Sequence, residues 1–270
     1  MQDSIRSWIR SQSEIGKVTF SLEDVRIAFP ALKNTRITEE LSRLKAQGVI
    51  HTPHRSFFVT IPVQYARVRQ TPPTYYIDAM MRHLKRPYYL ASLSAAALHG
   101  AAHQRPMRTF VMTQLPFSSM TSSQNDSIIW MYRKRIPESL LLEKNAEMGV
   151  IKYSNAELTA LDLVQYADRV GSFSSVATVL AELREATNFA DAHNASFKFT
   201  NSPTIQRIGY LYDEILGDHK QADVIYREWR ASLTAQPRTV NLRSDSPSET
   251  FAHNKRWLVN INTEIEIDDL

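Results

Sequence analysis

Cysteine is absent from the 270-residue chain, which excludes disulfides, thiolate nucleophiles and Cys-ligated zinc and suits a reducing cytosol. Glycine is scarce, and seven of them supply no phosphate-cradling Gly-rich loop. With twelve prolines they are also too few for long disordered regions. No apolar run reaches the roughly 18 residues of a membrane span, and the opening "MQDSIRSWIRSQ" is amphipathic and polar rather than basic and then apolar. Neither a membrane span nor a signal peptide is expected, and a cytoplasmic location is. What is present, 43% hydrophobic and 22% charged residues, is the composition of a chain folded nearly throughout. The length exceeds the usual single core, so two domains are expected.

The net charge of +4 is unevenly spread. Residues 1–70 hold 11 Lys and Arg against 6 Asp and Glu, and the remaining 200 hold 21 against 22. A small basic domain joined to a larger neutral one points to nucleic-acid binding by the former, because phosphate neutralisation favours clustered cations.

The elements of this basic quarter follow a definite order. Ile5, Trp8 and Ile9 mark one face of a first helix that ends before Gly16. "KVTF" is a short β segment, and Ser21 with Asp24 three residues on opens a second helix in the manner of a capping box, which Pro30 closes. A third helix is expected from about Asn34 to Gln47, with Ile37, Leu41 and Leu44 inward and Gly48 as its stop. The hairpin "VIHTPHRSFFVTI" completes the unit.

This is the order of a winged helix-turn-helix, expected over residues 1–66, in which the third helix enters the major groove and the hairpin is the wing. A step of about 100° per residue turns Thr35, Arg36, Glu39, Ser42 and Arg43 outward, where Arg can read guanine and Ser or Thr can contact bases or phosphates. Lys33 and Asn34 stand at the helix N-terminus within reach of phosphate. His54 and Arg55 sit at the wing tip, with Arg55 exposed for phosphate or minor-groove contact. The plain alternative is a solvated helix whose Glu39 and Glu40 pair with Arg36 and Arg43. A winged helix used for protein contact is the other competitor.

Residues 74–270 are expected to form a larger mixed α/β domain, so the fold class is α+β. Helices are expected from Tyr75 to His83 and, buried, from Tyr88 to Gly100, and "TFVMTQ" and "SIIWMYRKRI" read as strands. Ser154 with Glu157 opens a helix "NAELTALDLVQYA", and "SSVATVLAELREA" follows the Gly171 break. Ser202 as N-cap with Pro203 at N1 starts a helix burying Ile205, Ile208, Tyr212 and Ile215. "WLVNINTEIEIDDL" alternates as a half-buried strand, and Asn241 to Arg256 is the candidate mobile loop.

Enzyme-like constellations are thin. His99 and His103 have helical metal-ligand spacing, but no Glu lies between them and no third ligand is evident. Glu264, Glu266 and Asp268 share a strand face open to magnesium or simply to solvent. Asp162 among apolar residues reads as a hydrogen-bonded structural carboxylate. Arg133 and Arg135 on one side of "MYRKRI" offer a patch for phosphate or an acidic partner, or a protective charged edge. No metal or other cofactor is expected.

Five segments in order, "RSFFVTIPVQYA", "PPTYYIDAMMRHLKRPYYLASLSAAALHGAAHQRP", "SNAELTALDLVQY", "SVATVLAEL" and "IQRIGYLYDEIL", resemble an AbiEi-type antitoxin of bacterial type IV toxin–antitoxin systems. The resemblance covers nearly the whole chain. It implies a non-enzymatic autorepressor that binds inverted repeats in its own promoter through an N-terminal winged helix and neutralises a nucleotidyltransferase toxin through its C-terminal domain, without need of a stable complex. It implies DNA contacts at Lys33, Asn34, Arg36, Arg43 and Arg55. The chain departs at the wing tip, where Ser56 stands in place of a glycine turn. The readings from other classes are a nucleotide-acting enzyme in the C-terminal domain and a ligand-sensing winged-helix transcription factor.

Overall fold

The computed structural model describes residues 4–101, 106–115, 127–191, 195–244 and 252–267. His103 and Asp268 lie outside the described residues, as do residues 245–251 of the expected loop. In chain order the elements begin α1 Ile5–Glu14, β1 Thr19–Ser21, α2 Leu22–Ala28, α3 Asn34–Ala46, β2 Ile50–His54, β3 Phe57–Thr60, α4 Ile77–His83, β4 Tyr88–Leu90 and α5 Ser92–Leu98. They continue with β5 Thr109–Gln114, β6 Ile128–Arg133, β7 Leu141–Ala146, β8 Gly149–Ser154, α6 Ala156–Gln165, α7 Ala167–Val170 and α8 Phe173–Leu183. The last are α9 Ser202–Tyr210, α10 His219–Ser232, β9 Val240–Asn241, β10 Ala252–Asn254 and β11 Val259–Ile261. The mixture of helix and sheet is the expected α+β class.

The chain divides into two compact units. The first comprises residues 1–89, 107–136 and 143–152, and the second residues 90–106, 137–142 and 153–270. The first therefore contains the expected winged helix together with segments that return from much later in the sequence.

At the start of the first unit, Ser4 and Ser21 cap α1 and α2 with reciprocal side-chain bonds, and Asp24 fills the role usually given to Glu. The inward residues of α1, α2 and α3 meet in one core of Ile5, Trp8, Ile9, Phe20, Val25, Ile37, Leu41, Leu44 and Ile50. Trp8 stands edge-on to Phe20 at 5.4 Å, and Phe20 stacks on Phe58 at 5.4 Å, which joins the helices to the hairpin. The strand order is β1-β3-β2, antiparallel throughout. Later in this unit β5 and β6 pair in parallel from Thr109↔Ile128 to Gln114↔Arg133. They are part of the strand order β6-β5-β4-β8-β7.

The expected helix over Tyr88–Gly100 is corrected. Tyr88, Tyr89 and Leu90 are all buried and form β4, and the helix is confined to Ser92–Leu98. Adjacent tyrosines suit a pleated, two-sided burial better than a helix turn, and Ser92 breaks the run with φ 50°.

In the second unit α6, α8, α9 and α10 surround a core that includes Leu161, Val176, Leu180, Ile205, Ile208, Trp229 and Trp257. The cap of α6 is Asn155, whose side chain accepts from Leu158 N–H at 3.0 Å. The expected cap, Ser154, is the buried end of β8, and its hydroxyl lies 2.6 Å from that of Thr159. Likewise Asn201 caps α9, while the expected cap, Ser202, instead accepts from the indole N–H of Trp229 at 2.7 Å. In both places a side chain sequence-adjacent to the true cap is drawn off by a tertiary partner.

The terminal strand is also shorter than its alternation suggests. It ends at Ile261, and Asn262, expected on the polar face, is buried, where its side-chain amide bonds both Arg243 N–H and Arg243 C=O at 2.9 Å. The expected loop Asn241–Arg256 begins and ends in structure, because β9 and β10 both pair with β11.

Gly209 on α9 lies directly beneath the Trp257 ring, and a Cβ added there would overlap it. Trp257 is fully buried and cannot yield without opening the core. Gly209→Ala is expected to cost about 2–3 kcal/mol and to lower the melting temperature by roughly 5–10 °C. A thermal melt indistinguishable from wild type would contradict this packing.

Candidate nucleic-acid interface

The rotational setting of α3 decides what the first unit displays. Ile37, Leu41 and Leu44 are buried to 1%, 3% and 0% exposure, and Thr35, Arg36, Thr38, Glu39, Ser42 and Arg43 are exposed on the other side. The structure thus brings the five expected outward residues onto one open helix face. Arg36 makes no ion pair or hydrogen bond among the described residues. Arg43 donates to Glu40 at 2.7 Å, so the pairing weighed from the sequence does occur, though at an exposed guanidinium where such a pair is worth under about 1 kcal/mol. Lys33 occupies the N-cap with no side-chain cap bond. Asn34 Oδ1 accepts from Arg26 at 3.0 Å, which ties α2 to the start of α3.

The wing is shaped by an irregular register. His51 pairs with Val59 and His54 with Phe57, so β2 carries one residue more than β3 between these pairs, a bulge that adds twist. Ser56 takes φ 61° at the tip, the left-handed conformation that a glycine would favour. Its carbonyl accepts from Leu22 N–H at 3.0 Å, which fixes the turn against the start of α2. Arg55 is exposed beside it, and the half-buried His54 ring lies 3.0 Å from Arg55 C=O through Nδ1.

The proposed arginine patch is not one surface. Arg133 is buried on β6 with its guanidinium 5.7 Å from the Tyr89 ring, whereas Arg135 lies beyond the strand end and is exposed. The reading of a shared exposed strand face is corrected, because the wide aromatic surface of Tyr89 takes up the first arginine.

Sequence reasoning overlooked His51. It sits on β2, half-buried, edge-on to Tyr76 at 5.4 Å, and its Nε2 accepts from Thr71 N–H at 3.4 Å. Desolvation first, and the Lys45 charge second, lower its pKa from 6.5 to about 4. No spacing rule would have selected it, since its ring partners Thr71 and Tyr76 lie 20 or more positions away.

The later segments hold buried polar groups with structural partners. Glu157 accepts from Asn188 N–H at 2.7 Å, and Tyr212 meets Thr187 at 3.1 Å. Burial pushes the Tyr212 hydroxyl well above its ordinary pKa. Asp162 is fully buried. Residues 89–214, which include all of these, match the family profile described as the AbiEi antitoxin C-terminal domain. That match supports an AbiEi-type antitoxin.

The crystal structure of the RV2827C protein from Mycobacterium tuberculosis has a similar fold, with a TM-score of 0.67 over 95% of this chain and 92% of that one at 14% sequence identity. That likeness concerns fold alone. A search among curated proteins returned no significant match.

Within the matched segment His99 closes α5, with its Nε2 2.8 Å from Ser154 C=O and its ring beside Tyr153. Glu264 and Glu266 are exposed, and no group of three or more His, Asp or Glu suited to a metal occurs among the described residues. No helix among them is long and apolar enough to cross a membrane.

The lowered His51 pKa has a thermodynamic consequence. Between about pH 4 and 6.5 the unfolded chain takes up a proton that the folded chain refuses, so stability is lost as pH falls through 6.5 and is fully present above it. From pH 7.5 to pH 5 this histidine is expected to remove about 2 kcal/mol. Urea unfolding of wild type and His51→Gln at both pH values checks this, because the wild type should lose about that much more than the variant. Equal losses would place the His51 pKa near its ordinary value.

Proposed function

We propose that this antitoxin represses its own operon, with residues 1–66 as the DNA-reading unit, and neutralises a nucleotidyltransferase toxin through residues 74–270. The observation that carries the DNA-binding half is the single exposed face of α3, bearing Thr35, Arg36, Glu39, Ser42 and Arg43, beside a wing that ends in His54 and Arg55. Arg36 and Arg43 are the base readers or phosphate clamps, and Lys33, Asn34 and Arg55 position the backbone. The charge surplus of residues 1–70 supplies the salt-dependent attraction. The target is an inverted repeat in its own promoter, acted on in the cytoplasm. The antitoxin half rests on the profile match and on the segments that resemble the family. Neutralisation in this scheme does not need a stable complex with the toxin.

Arg36→Ala combined with Arg43→Ala is expected to weaken binding to the promoter fragment of its own operon by about 100-fold or more, with an unchanged circular dichroism spectrum. In cells the same variant is expected to lose repression yet still protect against the toxin. Retained promoter affinity would remove α3 from the interface. Joint loss of repression and protection by a folded protein would show that the two activities are not separable in this way.

A further inference from the structure

The outward face of α3 holds an acid that neither the core nor the neighbouring arginines use. Glu39 is exposed and makes no ion pair or hydrogen bond among the described residues. Arg43 stands four positions on, the favoured spacing for a Glu–Arg pair, yet its guanidinium goes to Glu40 at 2.7 Å. Glu39 also lies beyond the first turn of a helix that starts at Asn34, where the helix dipole no longer rewards a negative charge. Neither usual stabilising role of a helical acid is filled here.

The direction of Glu39 is the telling feature. Ile37, Leu41 and Leu44 are buried and share one mean direction toward the core. Among the charged residues of α3, Glu39 points most nearly away from it, roughly 15° off the opposite direction in a helix of 3.6 residues per turn. Arg43 and Arg36 lie about 55° and 75° to one side of that midline, and Lys45 lies on the other flank. A helix seated in a major groove turns its midline to the base edges and its flanks to the phosphate walls. Cations on the flanks suit those walls. A carboxylate on the midline is repelled by phosphate and is matched by the N4 amino group of cytosine.

We propose that Glu39 is a specificity-determining residue of this unit, accepting a hydrogen bond from cytosine N4 in the operator while Arg36 and Arg43 hold phosphate. The inference rests on residues 1–66 being the DNA-reading unit. The same charge repels the backbone of unmatched sequence, so it lowers non-specific affinity as well as rewarding the right base.

Enrichment of sites from a random duplex pool by the full chain, then competition binding with each base pair of the enriched site replaced in turn, tests this for wild type, Glu39→Ala and Glu39→Gln. The wild type is expected to require a C·G pair whose replacement costs about tenfold or more in affinity. Glu39→Ala is expected to become indifferent at that pair, to keep the other preferences, and to bind random-sequence duplex at least as tightly as wild type. Glu39→Gln is expected to change the preference there from cytosine to adenine, which Gln bonds through N6 and N7. Wild-type base preferences in either variant, or an even loss of affinity across all sequences in Glu39→Ala, would overturn the proposal and leave the DNA-reading unit standing. A wild type that enriches no sequence would overturn both together.

Discussion

The burial of Ile37, Leu41 and Leu44 is the constraint on which the exposed face of α3 depends. Each fully buried aliphatic side chain contributes about 1.5–3 kcal/mol, so turning α3 away from its core would forfeit roughly 5 kcal/mol or more. The exposed Arg43–Glu40 pair is worth less than about 1 kcal/mol and cannot set the rotation. Hydrophobic burial therefore chooses the face, and the charges occupy what is left. The fold does not need the arginines on that face where they are, so their identity is set by something other than stability.

A comparable constraint holds the end of the chain in the second unit. Trp257 stacks on Trp229 at 6.0 Å, covers Gly209 and donates its indole N–H to Asp213 at 2.9 Å. Asp213 lies in a π-helical stretch, Leu211–Ile215, and also receives His219 at 2.8 Å and Arg256 at 3.0 Å. Burial by itself would raise this carboxyl, but the bonds from His219 and Trp257 and the Arg256 charge outweigh it and hold the group below the usual carboxylate range. A buried carboxylate with three donors is compensated, whereas loss of any one leaves charge uncovered. The strand β11 and the residues before it are thus held to α9 and α10 by one aromatic ring and one acid.

The first three helices and the wing were legible because local signals and tertiary packing agree there: the capping boxes, the i, i+4, i+7 stripe and the stop at Gly48 all act within a few residues. Ser56 stands out in the sequence because a glycine suits that turn, and its φ of 61° is the left-handed conformation a glycine would favour. Misreadings arose where a distant partner overrides a local preference. Ser154 and Ser202 look like helix caps until Thr159 and Trp229 claim them. From Thr263 to Ile267 the alternation persists in exposure with no strand partner among the described residues to make it a strand. Arg133 reads as an edge charge because nothing near it in sequence announces Tyr89. His51 is illegible in the sequence for the same reason, since a lone His becomes notable only when its surroundings bury it.

Compactness and sequence order part company in this chain. Residues 1–66 lie wholly within the first unit, but so do residues 107–136, and Gln70 donates to Ser127 at 3.1 Å across 57 positions. Thr71, which follows Gln70, bonds both His51 in the wing and Thr60 C=O. A truncation near residue 70 would therefore strip the hairpin of bonds to its own unit and expose surface that the later segments cover. Removing the first 70 residues would equally leave β5 and β6 without the unit they complete. The proposed repression and protection are therefore to be separated by changing exposed side chains on α3, which bear little of the fold's stability, and not by cutting the backbone near residue 70.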